Sequence, residues 1–124
     1  MEKKKILLTD DEPNILKVVA VRLKTQNYDV ITAGDGETAL NLVKEHRPDL
    51  ILLDITLPKL NGYEVCEILK KDAAYKDIPV VLFSARAQQA DKDAGMEHGA
   101  DAYISKPFEP QQLLETIKTL LKEK

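Results

Sequence analysis

Leu50-Ile51-Leu52-Leu53-Asp54 is an unbroken apolar run closed by a carboxylate. A strand with one face in water alternates apolar and polar residues, and this run does not alternate. It therefore reads as a strand buried on both faces, the pattern of a parallel sheet covered by helices on either side. Working outward, Pro48-Asp49 ends a preceding helix in which Ala39, Leu40 and Val43 recur at helical spacing, after a Gly34-Asp35-Gly36 turn. Before that turn, residues 28–33 form a second strand centred on Val30 and Ile31, and Asn27 stops a helix that Pro13 opens. That first helix carries Ile15, Leu16, Val19 and Leu23 on one face, and residues 4–9 ahead of it form the first strand. Downstream, a loop with Pro58 and Gly62 leads to a third helix marked by Val65, Ile68 and Leu69. Pro79 introduces the fourth strand, residues 80–83, and a polar, weakly amphipathic fourth helix is expected over 87–98. Residues 102–105 make a short fifth strand, and a last helix near Pro110 places Leu113, Ile117, Leu120 and Leu121 on one face. Five strands alternating with five helices define an α/β chain. The sheet is parallel, with right-handed crossovers and helices on both faces.

The 124 residues suffice for one domain, 1–124. Hydrophobic residues at 44% and charged residues at 31% can build an ordinary core without disulfides. A formal charge of −3 gives no basic excess, so direct contact with nucleic acid or an anionic membrane is not expected. The lone Cys66 cannot pair within the chain, which fits a reducing compartment, and its place beside Val65 and Ile68 reads as packing. No apolar run approaches the ~20 residues that span a bilayer. Ile6 to Leu8, after the basic Met1-Glu2-Lys3-Lys4-Lys5, is too short for a signal peptide. The expected location is cytoplasmic. His46 and His98 read as solvated helix-end residues.

In an open parallel sheet, ligands bind at the carboxyl ends of the strands. After the first strand stand Asp10, Asp11 and Glu12; Asp54 ends the third, Ser84 the fourth, and the fifth runs into Lys106-Pro107. Singly, Asp10 or Asp11 could cap the first helix, Asp54 could be a loop carboxylate, Ser84 a cap and Lys106 a solvated lysine. Together they are harder to dismiss. Clustered carboxylates repel one another unless a cation joins them, and Mg²⁺ takes oxygen ligands from one or two carboxylates plus a phosphate. With the Lys106 ammonium and the Ser84 hydroxyl alongside, the edge is a socket for a phosphoryl group.

The chain resembles the receiver domain of two-component response regulators, of the single-domain, chemotaxis-receiver-like kind. The resemblance runs from Lys4 to Leu121 on four motifs in order: Leu8-Thr9-Asp10-Asp11-Glu12; Leu53-Asp54-Ile55-Thr56-Leu57-Pro58 with Gly62; Ser84-Ala85; and Lys106-Pro107-Phe108. It implies a flavodoxin-like five-stranded sheet of order 2-1-3-4-5. It implies a phosphorylation-activated signalling switch in a phosphorelay, not an enzyme acting on an outside substrate; the only chemistry is self-catalysed phosphoryl transfer and slow self-dephosphorylation. Asp54 matches the phosphoacceptor. Asp11 and Asp54 match the direct Mg²⁺ ligands, Thr56 the residue that adds its backbone carbonyl, and Asp10 the acid that binds through water; Mn²⁺ is expected to substitute. Ser84 matches the hydroxyl that meets the phosphoryl group, Lys106 the lysine that pairs with it, and Tyr103 the aromatic switch residue. Thr56 and Arg86 match the positions that set the phosphoryl lifetime. The implied partners are a sensor histidine kinase or histidine phosphotransfer protein at the first helix, and a downstream protein at the face of the fourth helix, fifth strand and last helix. Only Lys122, Glu123 and Lys124 follow Leu121, so no output domain is expected.

Two rival chemistries fit less well. A dehalogenase-type phosphatase needs a second aspartate two residues after its nucleophile, where this chain has Thr56. A flavin carrier needs neutral donors after the first strand, where Asp10-Asp11-Glu12 would repel the cofactor phosphate.

Overall fold

The computed structural model of the chain describes residues 3–84, 99–106 and 109–122. In chain order they form β1 (Lys5–Thr9), α1 (Pro13–Thr25), β2 (Asp29–Ala33), α2 (Gly36–His46), β3 (Leu50–Asp54), α3 (Gly62–Lys71), β4 (Val80–Ser84), β5 (Ala102–Ser105) and α4 (Pro110–Leu120). The expected helix over 87–98, with Arg86, His98, Pro107 and Phe108, lies outside the described residues.

The sheet order is β2-β1-β3-β4-β5 and every ladder is parallel, as the α/β reading requires. β3 sits at its centre, and none of its residues is more than 2% exposed. Successive strand residues point to opposite faces, so the sheet divides the core in two. Ile6, Leu8, Leu50, Leu52, Val81, Phe83 and Ile104 pack with Val19, Leu23, Leu113 and Ile117 of α1 and α4. Leu7, Ile51, Leu53, Val80 and Leu82 pack with Ala39, Val43, Val65, Cys66 and Leu69 of α2 and α3. Burying each large apolar side chain contributes about 1.5–3 kcal/mol, and the continuous apolar β3 supplies both cores at once.

Local chemistry sets the element ends. Pro13 and Pro110 open α1 and α4, where a missing N–H costs nothing. Asp35 caps α2 through the Thr38 N–H, and Asn61 and Glu64 form a reciprocal capping box on α3. Asn27 (φ 73°) and Arg47 (φ 45°) take the left-handed conformation just after α1 and α2. One expectation fails: Ile68 is 45% exposed. It lies roughly a third of a turn from the stripe of Val65, Cys66 and Leu69, and Cys66 takes the inward place. Cys66 is fully buried, and loss of hydration there pushes its thiol up to about 11.

At the amino end of the sheet, Lys70 of α3 donates to the carbonyls of Lys76 (3.1 Å) and Ile78 (2.8 Å) and to Asp101 Oδ2 (2.8 Å). The same Asp101 oxygen accepts the Val80 N–H at 2.8 Å, and Asp101 N–H donates to the Val80 carbonyl. One ammonium thus joins α3, the 72–79 turn and the start of β4 to the turn before β5. Gly99, at φ 95°, lies against the Lys70 stem, where a side chain would be both strained and crowded. Lys70→Met keeps the stem and deletes the donors. It should destabilise the fold by about 1–3 kcal/mol, read as a lower urea midpoint with unchanged slope, because two carbonyls lose the ammonium and the Asp101 carboxylate keeps the Val80 N–H but not its cation.

Candidate functional site

β1 and β3 are neighbours in the register Thr9↔Leu53, so the next residues, Asp10 and Asp54, stand side by side at the carboxyl edge. Asp10 is fully buried and Asp54 2% exposed, while Asp11 projects into solvent. Carboxylate oxygens of Asp10, Asp11 and Asp54 all lie within 4.8 Å of one another. Lys106, following β5, sends its Nζ to Asp10 Oδ2 at 2.8 Å and to Asp54 Oδ2 at 3.1 Å. On the way it lies 4.9 Å from the centre of the Phe83 ring, in reach of a cation–π contact.

The remaining oxygens of the two buried carboxylates are held by the backbone two residues on. Asp10 Oδ1 accepts the Glu12 N–H at 2.9 Å, and Asp54 Oδ1 accepts the Thr56 N–H at 3.2 Å and the Thr56 hydroxyl at 3.3 Å. Both are aspartate turns, in which a side chain stands in for a backbone carbonyl. Asp10 therefore braces the entry to α1 without capping it; the residue at the cap position is Glu12, whose side chain makes no capping bond. Burial alone would lower the Lys106 pKa. The hydrogen bonds to Asp10 and then Asp54, with their charges, outweigh it and hold the ammonium above the ordinary lysine range.

Three clustered carboxylates and one ammonium leave two negative charges uncompensated. The donors are all hard oxygens, and exposed Asp11 leaves one side open to water. That set fits a small divalent cation such as Mg²⁺, with Asp10, Asp11 and Asp54 around it. It does not fit zinc, which favours nitrogen and sulfur ligands.

The structure thus brings Asp10, Asp11, Asp54, Thr56 and Lys106 together. Ser84 ends β4 in register with Ser105, which puts its backbone at the same edge; its side chain lies outside the described residues, as does Arg86. Tyr103 stands beside Leu82 on β5, half-buried against the α2–α3 core. Sequence reading did not foresee the bracing of Asp54 by Thr56 or the Phe83 ring beneath Lys106. The first had a local signal, an aspartate two residues ahead of a donor, whereas the second depends on strand order.

A doubly wound parallel sheet with an acidic, cation-fitting cluster at its carboxyl edge is the class that fold and site define. The family profile of the response regulator receiver domain matches residues 6–118, and the chain belongs to that family. A probable transcriptional regulator of Guillardia theta is 44% identical over 120 residues, covering 97% of this chain and 46% of its own length. The chain spans about half the length of the curated relatives it matches. Among solved structures, a putative response regulator from Chloroflexus aurantiacus superposes with a TM-score of 0.94 at 31% identity, covering 98% of this chain and 100% of the other. The receiver domain of a sensor histidine kinase from Pseudomonas aeruginosa, solved with a magnesium ion in its active-site cleft, superposes at 0.90 with 27% identity and the same coverage. Among the described residues, no helix is long and apolar enough to cross a membrane.

Two outcomes follow from the geometry. Thr9 is fully buried beside Asp10, and its Oγ1 has no hydrogen-bond partner among the described residues. Thr9→Val removes that unpaired hydroxyl and should stabilise the fold by about 1 kcal/mol in urea titration; a loss of stability would show the hydroxyl to be satisfied. Lys106→Met leaves two buried carboxylates without their ammonium and should cost about 3–5 kcal/mol near neutral pH in the absence of divalent cations. Because the folded-state pKa of Lys106 is raised, its contribution is complete below the ordinary value of 10.5 and is lost as pH rises through the higher folded value. Thermal melts of Lys106→Met should therefore lose less stability than wild type on going above that pH.

Proposed function

We propose that the chain is a phosphorylation-activated switch whose Asp54 takes a phosphoryl group from the phosphohistidine of a sensor kinase or a histidine phosphotransfer protein. The observation that carries this reading is the convergence of Asp10, Asp11 and Asp54 with the Lys106 ammonium across them. An Asp54 carboxylate oxygen forms the new bond to phosphorus as the P–N bond of the donor breaks. The bonding pair goes to the departing imidazole. Thr56 and Lys106 hold the two Asp54 oxygens before the reaction, so the carboxylate enters it aligned. An ammonium has three donors; among the described residues Asp10 and Asp54 accept two, and the third could meet an arriving phosphoryl oxygen.

In this reading Asp11 and Asp54 would ligate Mg²⁺ directly, Thr56 would add its backbone carbonyl and Asp10 would bind through water; the magnesium in the Pseudomonas aeruginosa receiver supports the metal's identity. When bound, the metal spreads the negative charge of carboxylates and phosphoryl oxygens. The Ser84 hydroxyl would donate to a phosphoryl oxygen, and Tyr103 would follow it to reshape the face of β5 and α4. That face takes the downstream partner. Thr56 and Arg86 are the residues read as setting the phosphoryl lifetime, and neither side chain is an acid or amide that could orient water, so the acyl phosphate should decay slowly. The outward face of α1 is the docking surface for the phosphodonor, and the exposure of Val18 (69%) and Val21 (57%) supports that assignment.

With acetyl phosphate and Mg²⁺, wild type should gain one phosphoryl group on Asp54 by mass spectrometry. Asp54→Asn should gain none, and excess chelator should prevent the reaction in wild type. Full labelling of Asp54→Asn would refute the assignment.

A further inference from the structure

We propose that Gly36, at the start of α2, is a positioning residue for phosphoryl transfer, acting through the loop that follows Asp54. This rests on the reading of Asp54 as phosphoacceptor. Residues 55–61 are held on one side by the sheet: Ile55 N–H donates to the Phe83 carbonyl, and the Ile55 carbonyl accepts the N–H groups of Leu57 and Gly62. On the other side the loop rests against the first turn of α2. The Pro58 carbonyl accepts the Gly36 N–H at 3.3 Å and the Leu60 N–H at 2.8 Å. Lys59, between them, is left-handed at φ 69°, a costly conformation for a side-chain-bearing residue and one that must be held by its surroundings.

Gly36 is buried, and a Cβ placed on it would overlap the backbone oxygen, the carbonyl carbon and the Cβ of Leu60. Its φ does not lie in the region that favours glycine, so backbone freedom does not explain it. Nor does the helix, because alanine is the better helix former. What remains is the close approach of Leu60. The neighbouring Gly34 is a built-in control: a Cβ there would meet nothing within 4 Å, and its φ is also ordinary. Leu60 and Pro58 are two to four residues from Thr56, whose N–H and hydroxyl hold Asp54 Oδ1. A loop pushed off α2 must move against its sheet-side anchors, and Thr56 lies between those anchors and the push. The carboxylate then loses the alignment on which its reaction with a phosphodonor depends.

The test compares Gly36→Ala with Gly34→Ala in the full chain, at a temperature where both are folded. Two readouts are taken: the Thr56 amide resonance without phosphodonor, and the rate of Asp54 labelling by acetyl phosphate and Mg²⁺. Gly36→Ala should shift the Thr56 amide and slow labelling at least fivefold, while Gly34→Ala matches wild type in both. Lys59→Gly, which relieves the left-handed strain inside the loop, should partly restore the rate when combined with Gly36→Ala. If Gly36→Ala alone fails to fold, that double variant carries the same comparison against Lys59→Gly. An unshifted Thr56 amide and a wild-type rate in Gly36→Ala would overturn the proposal, and so would equal effects from Gly34→Ala. If wild type itself is not labelled on Asp54, the functional reading fails, whereas the amide comparison still decides whether Gly36 positions the loop.

Discussion

A carboxylate at the end of a strand with no solvent face must be met by donors or be neutralised, and the carboxyl edge is organised around that requirement. Asp54 has lost nearly all contact with water, and so has Asp10 beside it. Aspartate turns satisfy one oxygen of each, and Lys106 satisfies the other of both. The lysine belongs to the strand end two places along the sheet from β3, so its stem must cross β4 at roughly 4.8 Å per strand. Phe83 lies beneath that crossing, and its ring suits both the apolar stem and the charged head. The parallel order of the strands therefore does more than build a core: it delivers a cation from a distant segment to two buried acids.

Several costly features lie at this edge, although left-handed Asn27 and Arg47 sit at the opposite end of the sheet. The Thr9 hydroxyl, without a partner among the described residues, the left-handed Lys59 and the three crowded carboxylates all lie on or beside the carboxyl edge, while both cores below consist of regular apolar contacts. Locally unfavourable choices in an otherwise consistent chain mark the places where function outweighs stability. The aspartates illustrate the exchange. Replacing them would relieve repulsion, yet it would remove the groups that receive a cation and a phosphoryl group.

Features governed by near neighbours in the chain were legible from the start. The unbroken apolar run of β3 foretold a strand covered on both sides, Pro13 opened α1, and Asn27 stands two residues past its end at Thr25. The edge carboxylates and Lys106 were legible too, because a parallel sheet gathers its strand ends. Features that depend on contact between distant segments were not. Ile68 helped mark α3, but which apolar residues of that helix face the sheet depends on how it docks: Ile68 is 45% exposed and Cys66 fully buried. The Gly36 requirement comes from a backbone oxygen in another loop, and nothing in its own neighbourhood announces it. The Lys70–Asp101 pair spans 31 residues of sequence, and nothing near either residue marks the contact.

That last pair determines how the sheet can move. Lys70 stitches the amino ends of β4 and β5 to α3, whereas the carboxyl ends of the same strands finish at the phosphoryl-binding edge. A strand pinned at one end behaves as a lever. From Val80 to Ser84 the arm is roughly 13 Å, so a tilt of about 5° about the pinned end carries the tip about 1 Å. A displacement of that size matches a new hydrogen bond at the tip while the fulcrum stays still. Because ladders to β3 and β5 hold β4 along its length, charge at the edge acts on a strand fixed at its base and flanked on both sides.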